Sequence, residues 1–409
     1  VRIFIFLPQL PYPAHSGGRI VTAPLVEGLA SRHEVHVFAL THGEESENEG
    51  KALLQKVVAG VYTAAGTRRI DLPVLGRSFF SRYPYKVNRF AKQQLARMAS
   101  KVARNHPPDA IHCQNFYMAL YGRDLQAGCK VLYQENFETL MLERWAQTVS
   151  NPILQRLIEI ERNRTLNFEM ECPLWFDHLV TISIEDEQKY REASSGFPET
   201  ERHLATRLRT VRPSIDLDYY DPLKAGSLSN PFPSVSRKNL IFTGTFSYEA
   251  NADAACWMVN EVLPRLPEDT YSLWLVGNNP TEAVRNLNDP PSVHVTGRVP
   301  DIRPFIFHAD LAVVPLRIGG GIRLKILEAL ALGCPVLSSL VGCEGLWSEE
   351  DPPIWEVAES AEQFALSIQE VCGMTRDRDL LRNWVSERFS PGRFIREMES
   401  LYQVRKSQA

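Results

Sequence analysis

The residues from Gly319 to Ser339, GGGIRLKILEALALGCPVLSS, have the types and spacing of an anion site. Glycines 319, 320 and 321 leave backbone N–H groups uncovered where a helix should begin, and the helix dipole adds partial positive charge there. Arg323 and Lys325 then put two full positive charges in the first turn, which disfavours cations unless an anion compensates them. A diphosphate would do so. Glu328, nearly two turns in, has the type to accept hydrogen bonds from a ribose diol. A glycine-softened turn with solvated cations and a surface Glu carries the same letters. The apolar run Leu311 to Leu316 just before it, which places the cluster at a strand's carboxyl end, favours the anion site.

Other clusters are weaker. His15-Ser16-Gly17-Gly18-Arg19 follows the first apolar run and precedes a helical pattern, so Gly17 and Gly18 could bring backbone close to a diphosphate or sugar. It is not a Gly-x-Gly-x-x-Gly fingerprint, which argues against a dinucleotide cofactor. Glu135, Asn136 and Glu138 follow the run Lys130 to Tyr133, where a carboxylate or amide could position an acceptor hydroxyl. A helix cap with first-turn acids is the plainer account of Glu138, and Asn251 likewise reads as a cap. From Arg77 to Arg104 eight Lys/Arg (77, 82, 86, 89, 92, 97, 101, 104) occur with no Asp or Glu, interleaved with Phe79, Phe80, Tyr83, Tyr85 and Phe90. An anionic membrane surface or acceptor would be attracted to such a stretch, and a solvated helical face explains it as well. The ten histidines show no ligand spacing, so no catalytic metal is expected.

Elements must hold these groups in place. At 409 residues the chain exceeds one core, so two domains of about 200 residues are expected. With 44% hydrophobic and 23% charged residues it reads as an ordinary globular protein, and its net charge of −4 gives no general reason for nucleic-acid binding. Seven scattered cysteines, never in Cys-x-x-Cys, suit free thiols in a reducing compartment. VRIFIFLPQL reads as a first strand and not a signal peptide, and no run of about 18 apolar residues exists to span a membrane. A cytoplasmic protein follows, with a peripheral place at the inner membrane face if the basic stretch binds lipid.

Short β-branched runs alternate with helical patterns, the mark of parallel α/β units. Strands are expected at 2–7, 35–40, 110–113, 130–133 and 178–182, then at 239–242, 272–276, 293–295, 311–314 and 336–338. Between the halves, Val211 to Lys238 is rich in Pro, Ser and Gly and shows no period, as a hinge would. Two Rossmann-like halves would bind ligand in a cleft beyond the carboxyl ends of their strands. Ser390 and Pro391 open a last helix, with Phe394, Met398, Leu401 and Tyr402 at helical spacing, expected to pack across both domains.

These segments resemble the retaining glycosyltransferases of family 4, along nearly the whole chain. LIFTGTFSYEANADAACWMVNEVLPRL resembles the opening of that family's donor domain, and SVHVTGRVPDIRPFIFHADLAVVPLRIGGGIRLKILEALALGCPVLSSLVGCEGL its core signature. SGGRI resembles the family's glycine loop and VRPSIDLDYYDP its interdomain element. The resemblance implies a GT-B fold: 1–211 an acceptor domain, 212–238 a linker, 239–389 the nucleotide-sugar donor domain and 390–409 the closing helix. It implies Val299 at the nucleobase, Gly321, Ile322, Arg323 and Leu324 at the diphosphate and Glu328 at the ribose, with Gly17, Gly18, Gly277 and Gly320 in the same donor-binding set. The family's first glutamate is replaced by Gly320, its Arg and Lys clamp falls near Thr245 and Asn251, and its His-Asn-x-Glu element reads Glu135-Asn136-Phe137-Glu138. Arg323 and Lys325 then take over the clamp, and Glu135 and Asn136 are the acceptor-side candidates for catalysis.

The implied reaction moves a hexose-type sugar from a nucleotide diphosphate sugar to an acceptor hydroxyl with retention, in polysaccharide, glycolipid or glycoconjugate synthesis. The acceptor would be a sugar, a lipid-linked sugar or a protein; no metal or organic cofactor is expected. A nucleotide-sugar 2-epimerase of the same fold and a non-catalytic sugar-nucleotide scaffold are the competing readings.

Overall fold

A computed structural model of the chain describes residues 1–13, 17–43, 46–67, 71–78, 80–233, 237–346, 354–374 and 377–402. It forms two units: Val1–Ser214 with Pro391–Ala409, and Ile215–Ser390. His15 and Ser16 of the first glycine loop and Phe79 of the basic stretch lie outside the described residues.

The first unit carries strands β1 (Arg2–Leu7), β2 (Glu34–Thr41), β3 (Gly60–Ala65), β4 (Ala110–Gln114), β5 (Cys129–Gln134), β6 (His178–Thr181) and β7 (Leu208–Thr210). The second carries β8 (Lys238–Thr243), β9 (Tyr271–Val276), β10 (Val293–Gly297), β11 (Leu311–Val314), β12 (Val336–Ser338) and β13 (Glu356–Val357). All paired strands are parallel, in the orders β3-β2-β1-β4-β5-β6-β7 and β10-β9-β8-β11-β12-β13. Both are doubly wound sheets whose order reverses beside the first strand of the unit, at β1/β4 and at β8/β11. Loops leaving the carboxyl ends there diverge to opposite faces and open a crevice for ligand. The central strands are buried on both faces, so their sequences read as continuous apolar runs.

The segment expected to be a bare linker belongs to the second unit. Ile215, Tyr220, Ala225 and Phe232 enter its core, and Asp221 caps a short helix, Pro222–Gly226. Arg382 fastens this segment down, donating to the carbonyls of Leu217 (2.9 Å), Tyr220 (2.6 Å) and Ala331 (2.9 Å). Its packing residues are irregularly spaced because an irregular backbone presents them, so no period showed.

The last helix, Pro391–Leu401, is expected to cross both domains, and the structure places it in the first unit. Phe394, Ile395, Met398, Leu401 and Tyr402 are buried, and Glu399 pairs with Arg32 at 2.7 Å. Gly28 permits this docking, since a Cβ there would collide with the Ile395 side chain.

Candidate functional site

Each unit holds a polar cluster at its own switch point. In the second, β8 and β9 end at Gly244 and Gly277, and a Cβ on Gly277 would strike the Gly244 carbonyl. Gly277 has φ +151°, a backbone open only to glycine. After β11 the chain turns through Gly319 (φ +131°) and Gly321 (φ +74°), so these two glycines are required by conformation. The helix Leu324–Ala331 then starts with Arg323 at its N-cap position, the Arg323 guanidinium folding back onto the Gly320 carbonyl. Gly320, Ile322 and Leu324 are half-buried, the last two packed on the core, as is Val299 after β10.

Lys325 reaches back to the end of β8. Its Nζ donates to Asn251 Oδ1 at 2.9 Å, lies 4.4 Å from the Phe242 ring centre and would be 3.2 Å from a Cβ on Gly244. Burial, and then the Arg323 charge, lower this ammonium to about 7, against the pull of Glu328. Asn251, expected as a cap, is the third residue of the helix Glu249–Trp257; it turns inward, donating Nδ2 to the Thr245 carbonyl at 3.0 Å. The family's clamp would fall near Thr245 and Asn251, and Lys325 delivers a cation to that place from a different helix. Glu328 is buried and accepts from the Tyr220 hydroxyl at 2.8 Å. Burial raises its pKa, opposed by that bond and by Lys325. Tyr220 was not legible as a site residue, because only the fold of 215–232 brings it to Glu328.

In the first unit, Gly17 and Gly18 begin the helix Gly17–Ala30. A Cβ on Gly18 would sit at ordinary contact distance, 3.5 Å, from both Glu135 Oε2 and Gln9 Nε2, so this helix start lies against the carboxylate. Glu135 accepts from Gln114 Nε2 at 2.7 Å and from Asn115 Nδ2 at 3.3 Å; burial raises its pKa against those bonds. Asn115 follows β4 with a positive φ of +70° and turns its amide onto Glu135. Gln9, Gly18, Thr22, Gln114, Tyr117 and Glu135 are among the residues lining a small pocket. Asn136, the neighbouring candidate, is half-buried and takes no part in this network. Glu138 opens a helix whose first N–H groups are capped by Glu169, which accepts from the backbone nitrogens of Glu138 (2.9 Å) and Thr139 (3.0 Å). Gln114, Asn115 and Glu169 come from elements far apart in sequence, which no local motif announces.

The basic stretch is less free than its letters suggest. Arg82 pairs with Glu171 at 2.9 Å, Lys86 with Glu138 at 2.6 Å, and Arg89 with the Thr67 carbonyl. Arg97, Lys101 and Arg104 remain exposed on the helix Gln93–Asn105. Among the described residues no helix is long and apolar enough to cross a membrane, and no three His, Cys, Asp or Glu side chains cluster as metal ligands would.

Residues 237–373 match the family model "Glycosyl transferases group 1". An uncharacterized 44.6 kDa protein in the cps region of Klebsiella pneumoniae is 22% identical over 360 residues, 84% of each chain. Among solved structures, HepE of Anabaena in complex with UDP superposes with a TM-score of 0.65 at 14% identity, over 97% of this chain and 98% of that one. Sucrose-phosphate synthase from Thermosynechococcus elongatus gives 0.66 at 17%, over 98% of each chain. The lipopolysaccharide outer core galactosyltransferase WaaB gives 0.60 at 13%, over 98% and 99%. With the two doubly wound units described above, these likenesses establish that the chain has the GT-B fold, and residues 237–373 are similar to the glycosyl transferases group 1 model.

Proposed function

We propose that the protein transfers a hexose-type sugar from a nucleotide diphosphate sugar to an acceptor hydroxyl, in polysaccharide, glycolipid or glycoconjugate synthesis. The observation that carries this is the Lys325 ammonium at the switch point of the second unit, 2.9 Å from Asn251 and beside Arg323. A diphosphate seated there would meet Lys325, Arg323 and the amides of Gly321 to Leu324, and its charge would be stabilised as it leaves the sugar. Two cations in that role make a metal unnecessary. Glu328 would hold the ribose with Tyr220 fixing its carboxylate, and Val299 would lie at the base. Retention rests on the family resemblance. HepE, solved with UDP and with UDP-glucose, supports a nucleotide-sugar donor, and the relative in a cps region supports a polysaccharide product. The acceptor belongs to the pocket of the first unit, with Glu135 taking a hydroxyl; the basic helix face Arg97, Lys101 and Arg104 suits an acceptor held at an anionic membrane surface.

A thermal-shift screen over UDP-, GDP-, ADP- and dTDP-sugars tests the donor reading, since a ligand of the native state raises its melting point. Removal of the ammonium in Lys325→Ala is expected to weaken binding of the selected donor at least tenfold, an effect of about 1.4 kcal/mol or more. Unchanged binding in Lys325→Ala and Arg323→Ala would overturn the assignment. Donor incubated alone must keep its sugar's configuration; isomerised sugar would make the protein an epimerase.

A further inference from the structure

Glu135 is the end of a hydrogen-bonded chain that starts beyond the last helix. The Tyr402 hydroxyl lies 2.7 Å from His112 Nδ1, His112 Nε2 lies 2.8 Å from Gln114 Oε1, and Gln114 Nε2 lies 2.7 Å from Glu135 Oε1. Tyr402, His112 and Gln114 are 2%, 0% and 1% exposed, so water does not substitute for any link. Chemistry sets the direction. A carboxylate only accepts, so Gln114 turns its amide N–H to Glu135 and its carbonyl to the imidazole. His112 must then carry its proton on Nε2, which leaves Nδ1 as an acceptor and makes Tyr402 the donor. Burial lowers His112 to about 4, so the ring in this chain is neutral.

Successive bonds in one direction polarise one another, each donor made stronger by the one behind it. Their sum favours the ionised form of Glu135 and fixes its plane. Gln114 occupies one lone pair of Oε1 and Asn115 one of Oε2, so each oxygen keeps a lone pair for a hydroxyl in the pocket beside Gly18 and Tyr117.

We propose that Tyr402, His112 and Gln114 are positioning residues that hold Glu135 as the acceptor of a sugar hydroxyl, and that seating of the C-terminal helix on the first unit thereby sets acceptor affinity. The inference rests on the reading of Glu135 as an acceptor-side group. It also accounts for a histidine inside a buried strand and a glutamine at its end, where neither serves the core.

The probes are the methyl glycosides of glucose, galactose and mannose, whose binding to the full chain is followed by ligand-observed NMR. Histidine-labelled protein gives the 15N signature of His112, identified by its loss in His112→Asn. Wild type should bind at least one glycoside and show an Nε2–H tautomer with a hydrogen-bonded Nδ1. Loss of one hydroxyl in Tyr402→Phe should shift the Nδ1 resonance downfield and weaken glycoside binding about fivefold, the worth of one hydrogen bond of about 1 kcal/mol. Binding of the nucleotide diphosphate chosen in the donor screen should be unaffected. If Glu135→Gln leaves glycoside binding unchanged, or wild type binds none of the three, the acceptor reading of Glu135 falls and this inference with it. If Glu135→Gln impairs binding while Tyr402→Phe leaves both binding and the Nδ1 resonance unchanged, the relay alone is overturned. Equal weakening of glycoside and diphosphate binding in Tyr402→Phe would mark a structural role and overturn it as well.

Discussion

Lys325 is a local liability that the proposed diphosphate site would turn into a binding determinant. A cation in the first turn of a helix opposes the helix dipole, and here a second cation, Arg323, lies beside it. The structure answers part of that cost by bending Lys325 onto the Asn251 carbonyl oxygen and over Phe242. The rest appears as an ammonium that deprotonates at about 7. A bound diphosphate favours the protonated form, so its binding raises this pKa and takes up a proton above pH 7. By linkage, affinity is highest below pH 7 and falls as pH rises, by up to about tenfold per unit until the bound-state pKa is reached. Calorimetric titration of the selected nucleotide diphosphate at pH 6.5, 7.5 and 8.5 should show this slope in wild type and its absence in Lys325→Met. The same slope in both proteins would remove Lys325 from the diphosphate. The glycine turn and the cations at the helix start, Gly319 to Lys325, could be read from the letters, because they are a local pattern. Asn251, Tyr220 and Gln114 could not be read the same way: each meets its partner across 74, 108 and 21 positions respectively, a distance no motif spans.

At the scale of elements, the proposed donor site depends on a largely irregular segment with one short helix. Residues 215–232, which bring Tyr220 to Glu328, are tied down by Arg382 on the helix Arg378–Phe389, which bonds the carbonyls of Leu217, Tyr220 and Ala331. Hydrogen bonds to a charged donor contribute about 1.5–3 kcal/mol each, and carbonyls left unpaired add to the loss. Arg382→Leu is therefore expected to destabilise the second unit by about 3 kcal/mol or more in urea unfolding. It should also raise the KM for donor while leaving glycoside binding in the first unit intact. Preserved stability would show that water replaces the guanidinium. Strand legibility follows burial in the same way. The central strands β1, β4, β5, β8, β9 and β11 stood out as apolar runs because helices cover both faces. Strands β3 and β13 sit at sheet edges with half-exposed residues, and β7 buries one residue of its three, so none of them left a run to read, whereas the equally short β12 is buried throughout.

For the whole molecule, the chain's order and its folding units do not coincide. The last helix is separated from Ser214 by the 176 residues of the second unit yet completes the first unit, where it buries four side chains and Tyr402 just after it a fifth. Each buried apolar side chain is worth about 1.5–3 kcal/mol, against a domain stability of about 5–15 kcal/mol. A chain ended at Ser390 should therefore lose amide-exchange protection across 1–214 while keeping it across 215–389. Protection retained in both would show that the first core is sufficient without the helix.

The sequence by itself determined the α/β class, the doubly wound halves, the glycine turns and the cations at 323 and 325, because each is a property of neighbouring residues. It also held the family likeness of the donor domain. Only the tertiary structure decided that 215–232 is core and not linker, that the last helix belongs to the first unit, and which groups face Lys325, Glu328 and Glu135. Those outcomes depend on which distant surfaces bury each other's apolar area and satisfy each other's polar atoms, and such pairings exist only once the chain is folded.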